Sequence, residues 1–403
     1  MHLPFFFSTW RGATFRAPSW FLGPLLRRRG EAAGHKSVHS KRRTPDFGRQ
    51  VMARNFGTDL DKIDLSANES PLGPAPGAIR AIIEGALRAH RYPDANGLAL
   101  KAELAEILGV AAEQVVLGNG SCEVLDLTAR AVLGKDDEAM IGWPSFPAYR
   151  SMVDRAGAKA VLVPLKDHAY DLDAMAEAVT GRTRLVVLGN PNNPTGLTFG
   201  QAAFTRFLER LPGEVVVIID EAYHDYVGRA DRANALDEIA GAHALVVTRS
   251  FSKAHGLAGL RLGYGVAPVR LARQIEAQRQ RFNTSGIAQA AAMAALADHE
   301  HLARCVALNG AGRQWLENRL AALDLFFLPS EANFVMVRVG EGKAVHEHLR
   351  ARGVLVKPLD AFGLPDYIRV SVGRPEENER FIQALIAVLP QTLPGEPACC
   401  TPI

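Results

Sequence analysis

Seven short apolar runs in the middle of the chain limit the fold more tightly than any other feature. They are Gln114–Leu117, Glu138–Trp143, Lys159–Leu165, Arg184–Gly189, Val215–Asp220, Ala244–Ser250 and Arg261–Ala267. Most are apolar throughout rather than alternating, and helical stretches separate them. A strand that is apolar on both faces must be covered on both, which predicts a predominantly parallel sheet between layers of helix. Sheets of that kind bind ligands beyond the carboxyl ends of their strands. The residues at those ends are therefore the ones to read for chemistry.

The flanks complete the outline. Asp64–Pro74 is turn chemistry, followed by helical patterns over Gly77–His90 and Leu98–Leu108, with Arg91-Tyr-Pro-Asp-Ala-Asn-Gly97 breaking them apart. Beyond the seventh run, Ser285–Ala297 opens a helical region that continues to Leu323. Asn333–Val339 and Tyr367–Val372 alternate as strands around a helix over Lys343–Arg352, and a last helix, Glu376–Leu389, is expected to stop at Pro390. The domain reading is an extension over 1–51, an arm over 52–84 joining the small lobe, a large domain over 85–285, a small α+β domain over 286–390 and a tail over 391–403.

Charge and cysteine usage exclude some functions. The net charge is +3, but residues 1–51 hold ten Lys/Arg against two acids, so the remainder is acidic and offers no basic face for nucleic acid. That first segment reads as a transit peptide or as the product of an upstream start codon, with Met52 opening the working protein. Cys122, Cys305, Cys399 and Cys400 have neither metal-ligand nor disulfide-framework spacing, which suggests a reducing, cytoplasmic setting. No apolar run approaches the roughly 20 residues needed to cross a bilayer.

The densest chemistry follows the sixth run, in Arg249–Tyr264. Lys253 sits among Gly, Ala and Leu, where partial desolvation lowers an ammonium pKa and frees the lone pair to attack a carbonyl. Ser250, Ser252 and Arg261 supply donors for a phosphate dianion. A lone Ser-x-Ser-Lys would be an ordinary surface loop. With the motifs below it points to a phosphorylated aldehyde held as a Schiff base, which is pyridoxal phosphate. Gly118-Asn-Gly-Ser121 opens a helix over Cys122–Leu133 and is a second anion site, or an ordinary turn. Phe146, in Trp143–Tyr149, could stack on a flat cofactor or fill the core. Asn190-Pro-Asn-Asn-Pro-Thr-Gly196 has a backbone fixed by proline and glycine, with neutral amides on offer. Asp220-Glu-Ala-Tyr223 puts an acid at the end of a very apolar strand, which is costly unless a cation such as a protonated pyridine nitrogen faces it. Arg369 projects among apolar neighbours from the last strand.

These residues, with Ala67–Pro74, Arg91-Tyr-Pro93 and Ile368–Gly373, resemble the fold-type I pyridoxal-phosphate aminotransferases from about Asp64 to Leu389, and most of all the histidinol-phosphate branch. The resemblance implies an α/β fold with a seven-stranded, mostly parallel sheet and a small C-terminal lobe. It implies Lys253 as the Schiff-base lysine, Asp220 facing the ring nitrogen, Asn193 and Tyr223 on the ring 3-oxygen, and Phe146 stacked on the ring. Gly120, Ser121, Ser250, Ser252 and Arg261 would bind the phosphate, joined by Tyr92 from the other subunit of a homodimer. Arg369 would clamp the substrate carboxylate, with Asn68 at the mouth and Lys357 nearby.

Three positions depart from the branch. Phe146 replaces a common Tyr, Lys357 a common Arg and Cys122 a frequent Asp; these bear on the substrate side chain rather than on the cofactor chemistry. The implied reaction is histidinol-phosphate:2-oxoglutarate transamination in histidine biosynthesis, with an aromatic or broad-specificity aminotransferase and a threonine-phosphate type decarboxylase as rivals. An aminotransferase-like transcription regulator would need an N-terminal DNA-binding domain, for which residues 1–51 are too short and aperiodic.

Overall fold

The computed structural model describes residues 62–241 and 243–392. The expectations for residues 1–51, for Met52 and for the tail beyond Thr392 lie outside those residues. In chain order the strands are β1 (Ile63–Asp64), β2 (Val115–Gly118), β3 (Glu138–Trp143), β4 (Lys159–Pro164), β5 (Thr183–Gly189), β6 (Val216–Asp220), β7 (Ala244–Ser250), β8 (Gly263–Val266), β9 (Phe334–Arg338), β10 (Val354–Leu355), β11 (Lys357–Pro358) and β12 (Tyr367–Ser371).

All seven apolar runs enter one sheet, in the order β2-β8-β7-β6-β5-β3-β4. β3 to β7 are mutually parallel, whereas β8 runs antiparallel between β2 and β7. β8 starts two residues later than its apolar run suggests. Arg261 has φ +54, a left-handed conformation that no strand accommodates, and Leu262 follows it outside the ladder.

The solid apolar character of the central strands has the expected cause. Successive side chains alternate in direction, so Val186, Leu188, Val217, Ile219, Leu245 and Val247 join one buried cluster, and Leu185, Val187, Val216, Ile218 and Val246 join another on the opposite face. Helices Ser121–Val132, Ala148–Ala156 and Val269–Glu276 cover the second face. Leu98–Leu108, Gln201–Glu209 and Gly286–Leu296 cover the first.

The second sheet is antiparallel, in the order β11-β12-β9, and packs with helices Gly342–Ala351 and Pro375–Thr392 around Val335, Val337, Leu349, Ile368, Val370, Phe381 and Leu385. β1 pairs in parallel with β10, tying the entry of the described chain to this lobe. The sequence boundaries at 84 and 286 put helices Pro76–Ala86 and Gly286–Leu296 with the small lobe, whereas the buried Ala78, Ala288, Ala291, Ala292 and Ala295 share the core of the large sheet.

Two helix ends differ from expectation. The region from Ser285 to Leu323 is two helices, Gly286–Leu296 and His299–Ala322, because Asp298 accepts from the His301 amide at 2.9 Å and caps a new start. The last helix runs through Pro390 to Thr392. The proline lacks the N–H that would bond back to the preceding turn, so it costs one hydrogen bond there without ending the helix. Among the described residues no helix is long and apolar enough to cross a membrane.

One charged group helps fix the sheet. Glu138, 3% exposed at the start of β3, accepts from Thr180 Oγ1 at 2.7 Å, Arg182 Nη2 at 2.8 Å and Lys159 Nζ at 3.1 Å. These donors, the Arg182 hydrogen bond first, hold its carboxyl down to about 2. A lowered pKa contributes stability that is full above the unfolded value and is lost as pH falls through the folded one. Glu138→Gln is therefore expected to destabilise by about 1–2 kcal/mol at pH 7, discounted because both cations are exposed. Urea titrations should show the two proteins converging between roughly pH 4.5 and 2.

Candidate active site

A cavity of about 570 Å³ opens at the carboxyl ends of β5, β6 and β7. Twelve of the fourteen residues expected to form the site line it: Asn68, Ser121, Phe146, Asn193, Asp220, Tyr223, Ser250, Ser252, Lys253, Arg261, Lys357 and Arg369. Gly120 adjoins it, and Tyr92 stands apart.

At the floor, Asp220 ends β6 and is 5% exposed. Burial raises its pKa, opposed by hydrogen bonds from Tyr149 and Thr248. Tyr149 Oη donates to Oδ2 at 2.9 Å, Thr248 Oγ1 to Oδ1 at 3.1 Å and the Ala222 amide to Oδ1 at 3.3 Å. The sequence reading missed Tyr149 and Thr248. Their signals were present but faint: Tyr149 follows Phe146 by three residues, about one helical turn, and Thr248 is a hydroxyl near the end of an otherwise apolar strand.

Lys253 comes from the turn after β7. Its Nζ donates to the carbonyls of Asn68 at 3.1 Å and Ala67 at 3.3 Å, and lies 5.7 Å from the centre of the Tyr223 ring. Burial, then the nearby Arg369 guanidinium, lower its pKa to about 8. A much larger share of the amine is thus neutral near physiological pH than in an ordinary lysine, although the ammonium still predominates below pH 8, and the neutral form is the nucleophile a carbonyl needs.

The anion-binding end is built on a helix start. Gly120 has φ +78, and a Cβ there would lie 2.3 Å from Arg261 Nη2, so only glycine lets the guanidinium approach. Arg261 Nη1 reaches Ser252 Oγ at 3.3 Å, and Ser250 Oγ accepts from the Ser252 amide at 3.0 Å. Ser121 opens the helix Ser121–Val132, whose first amides add to this positive region. Two hydroxyls, a guanidinium and a helix N-terminus suit a phosphate.

The opposite end belongs to the second sheet. Arg369 is 6% exposed; it donates through Nη1 to Asn193 Oδ1 and through Nη2 to the Ser66 carbonyl at 2.7 Å, and its buried Nε has no partner. Lys357 lies directly across from it in the antiparallel pair of β11 and β12. Asn68, at φ +55, is held by Ser371, which accepts from its amide at 2.8 Å and donates to Oδ1 at 3.0 Å, and it donates to Tyr223 Oη at 3.0 Å. Burial raises the Tyr223 phenol, opposed by Arg369, so it stays a neutral donor. Phe146 lines the cavity edge-on to Tyr149, with ring centres 5.7 Å apart. Burial also raises the Cys122 thiol, keeping it uncharged. Tyr92 is 84% exposed and stacks on Phe282 at 4.7 Å, away from the cavity of its own chain.

A desolvated lysine, a buried acid and an anion cradle around one cavity suit a phosphorylated aldehyde bound as a Schiff base. Comparison with known proteins agrees: residues 60–385 match the family model described as aminotransferase class I and II. The chain belongs to this family. As an aminotransferase it acts on an amino donor and a 2-oxo acid, with pyridoxal 5'-phosphate as cofactor, as its sequence implied. The chain is 45% identical over 341 residues to histidinol-phosphate aminotransferase 1 of Nitrosococcus oceani, covering 84% of this chain and 92% of that protein. It is 44% identical over 340 residues to histidinol-phosphate aminotransferase 2 of Pseudomonas aeruginosa, with the same two coverages. Among solved structures, the histidinol-phosphate aminotransferase of Sinorhizobium meliloti in complex with pyridoxal-5'-phosphate superposes with a TM-score of 0.78 at 28% identity, covering 88% of this chain and all of that one. The aminotransferase thus has the α/β fold expected of it, with a mixed seven-stranded sheet.

Proposed function

We propose that this aminotransferase transfers the amino group of histidinol phosphate to 2-oxoglutarate, a step of L-histidine biosynthesis. The observation that carries the substrate reading is the cationic end of the cavity. Arg369, with a buried and unpartnered Nε, faces Lys357 across β11 and β12, so two cations converge where a dianionic phosphate or a carboxylate would sit. The two relatives at 44–45% identity, both named for histidinol phosphate, support the same substrate.

When bound, pyridoxal phosphate supplies an aldehyde for the amine and a pyridinium ring that accepts an electron pair from the substrate Cα. Asp220 would hold a negative charge against the ring nitrogen. Asn193 spends its Oδ1 on Arg369 and Tyr223 accepts from Asn68, which leaves the Asn193 amide N–H and the Tyr223 O–H to donate to the ring 3-oxygen. Phe146 covers one ring face. Gly120, Ser121, Ser250, Ser252 and Arg261 hold the phosphate. Lys253 Nζ would take the proton from the substrate Cα as general base and deliver it as general acid to the carbon that carried the aldehyde. Arg369 orients the substrate anion through its planar fork, with Lys357 as a point charge beside it and Asn68 closing the mouth.

The deciding measurement is kcat/KM for histidinol phosphate, phenylalanine and histidine, each with 2-oxoglutarate as acceptor. Histidinol phosphate is expected to lead by at least about tenfold, the worth of one charge-assisted contact. If phenylalanine wins, the enzyme is an aromatic aminotransferase.

Homodimerisation belongs to the same proposal. Ile79, Ile83 and Leu87 follow each other at four-residue spacing and are 44%, 61% and 78% exposed, an apolar stripe that points towards a protein partner. Tyr92 lies just beyond it and, in a dimer, would reach the neighbouring subunit's phosphate. Sedimentation is expected to give a dimer, and Tyr92→Ala to bind pyridoxal phosphate more weakly. An active monomer would contradict this.

A further inference from the structure

The least explained group at the floor is a tyrosine with no assigned part in the chemistry. Tyr149 is buried at 2% exposure in the helix Ala148–Ala156, and its hydroxyl donates to Asp220 Oδ2 at 2.9 Å. The surroundings are shaped for that hydroxyl: a Cβ on Gly189, at the end of β5, would come within 2.8 Å of it. The other carboxylate oxygen receives Thr248 Oγ1 at 3.1 Å, from β7. A helix and a neighbouring strand thus each give one hydroxyl to one carboxylate. Burial and the neighbouring Asp220 raise the phenol well above its ordinary range, so Tyr149 acts as a donor throughout the working pH range.

We propose that Tyr149, together with Thr248, is the positioning residue that keeps Asp220 ionised and aimed at the cofactor ring nitrogen. The proposal rests on the reading of Asp220 given above. A buried carboxylate without a cation favours its neutral form, and a neutral Asp220 would not hold the proton on the ring nitrogen. The two hydroxyls stabilise the charge before the cofactor arrives and fix the plane of the carboxylate. The other titratable groups facing Asp220 are Lys253, Cys122, Tyr170 and Tyr223, and of these only Lys253 brings a positive charge.

The test is a pH titration of the cofactor absorbance in the purified holoenzyme, alongside kcat and KM. With one donor gone Asp220 ionises less readily, the ring is less positive, and the nitrogen joining lysine to cofactor holds its proton more tightly. Tyr149→Phe is expected to move the titration midpoint up by about half to one pH unit and to lower kcat about tenfold, with both KM values within about twofold. Thr248→Val should move the midpoint the same way, whereas Thr248→Ser, which keeps the hydroxyl, should retain the parental midpoint. A Tyr149→Phe holoenzyme with parental midpoint and kcat overturns the inference, as does one that merely melts earlier. Asp220→Asn separates the two levels of the argument. If it shifts the titration and Tyr149→Phe does not, only the role of Tyr149 falls; a parental titration in Asp220→Asn overturns the reading of Asp220 as well.

Discussion

Lys253→Ala is expected to lose at least about 10⁴-fold in kcat, because the same amine both anchors the cofactor and moves the Cα proton. The other lysine lining the cavity, Lys357, lies across from Arg369 in the pair of β11 and β12 and has no hydrogen bond to the Ala67 and Asn68 carbonyls that hold Lys253, so it does not stand in the same place. Steady-state assays of the purified variant decide the point: turnover within tenfold of the parent would remove Lys253 from the reaction. The same residue carries a cost in stability. Its ammonium is held down to about 8 by burial, so between pH 8 and roughly 10.5 the folded protein binds fewer protons there than the unfolded chain. Stability of the cofactor-free protein therefore rises with pH across that window, and below it the full penalty applies. Lys253→Met, which keeps the stem, is expected to stabilise the cofactor-free protein by about 1–2 kcal/mol at pH 7, allowing for solvent in the open cavity. Urea titrations should show that advantage shrinking above pH 8.

Arg369→Ala is expected to cost 2–4 kcal/mol of transition-state binding, roughly 30- to 1000-fold in kcat/KM, as for the truncation of a buried, hydrogen-bonded charge. Besides losing the substrate anion, it leaves Asn193 Oδ1 and the Ser66 carbonyl without a donor and removes a guanidinium stacked 5.2 Å from the Phe334 ring. Arg369→Lys separates charge from shape: it should recover part of the loss and leave the rest, because an ammonium lacks the planar fork. Less than a threefold change in kcat/KM for Arg369→Ala, with either substrate, would rule out the clamp.

The reach of the sequence follows from the range of its signals. Each central strand announced itself because a run buried on both faces is apolar over its own length, which is local information. The insertion of β8 between β2 and β7 was not legible, since strand order depends on partners far apart in the chain. The two-residue strands β1 and β10 carry too few side chains for any period and exist only through their mutual pairing. At the site, groups that act by chemical type were readable: an amine among small residues, an acid at a strand end, hydroxyls beside a glycine. Supporting groups were not. Tyr149 touches Asp220 across 71 residues, and its place three residues after Phe146 is too faint a signal to mark the pair. Tyr92 was legible as an unexplained aromatic, and it stacks on Phe282 apart from the cavity of its own chain.

The loop that receives the reactive amine also sets a timetable for biogenesis. The Asn68 carbonyl accepts from Lys253 at 3.1 Å and from Asn333 Nδ2 at 3.0 Å, while Ser371 grips both the amide and the side chain of the same residue. On the ribosome, a nascent chain that has emerged as far as Leu323 contains every strand of the large sheet but neither Asn333 nor Ser371. The sheet can then form from the segments already made, yet the loop over Lys253 still lacks the Asn333 and Ser371 hydrogen bonds that fix Asn68. The finished geometry around the reactive amine therefore waits until Ser371 leaves the exit tunnel.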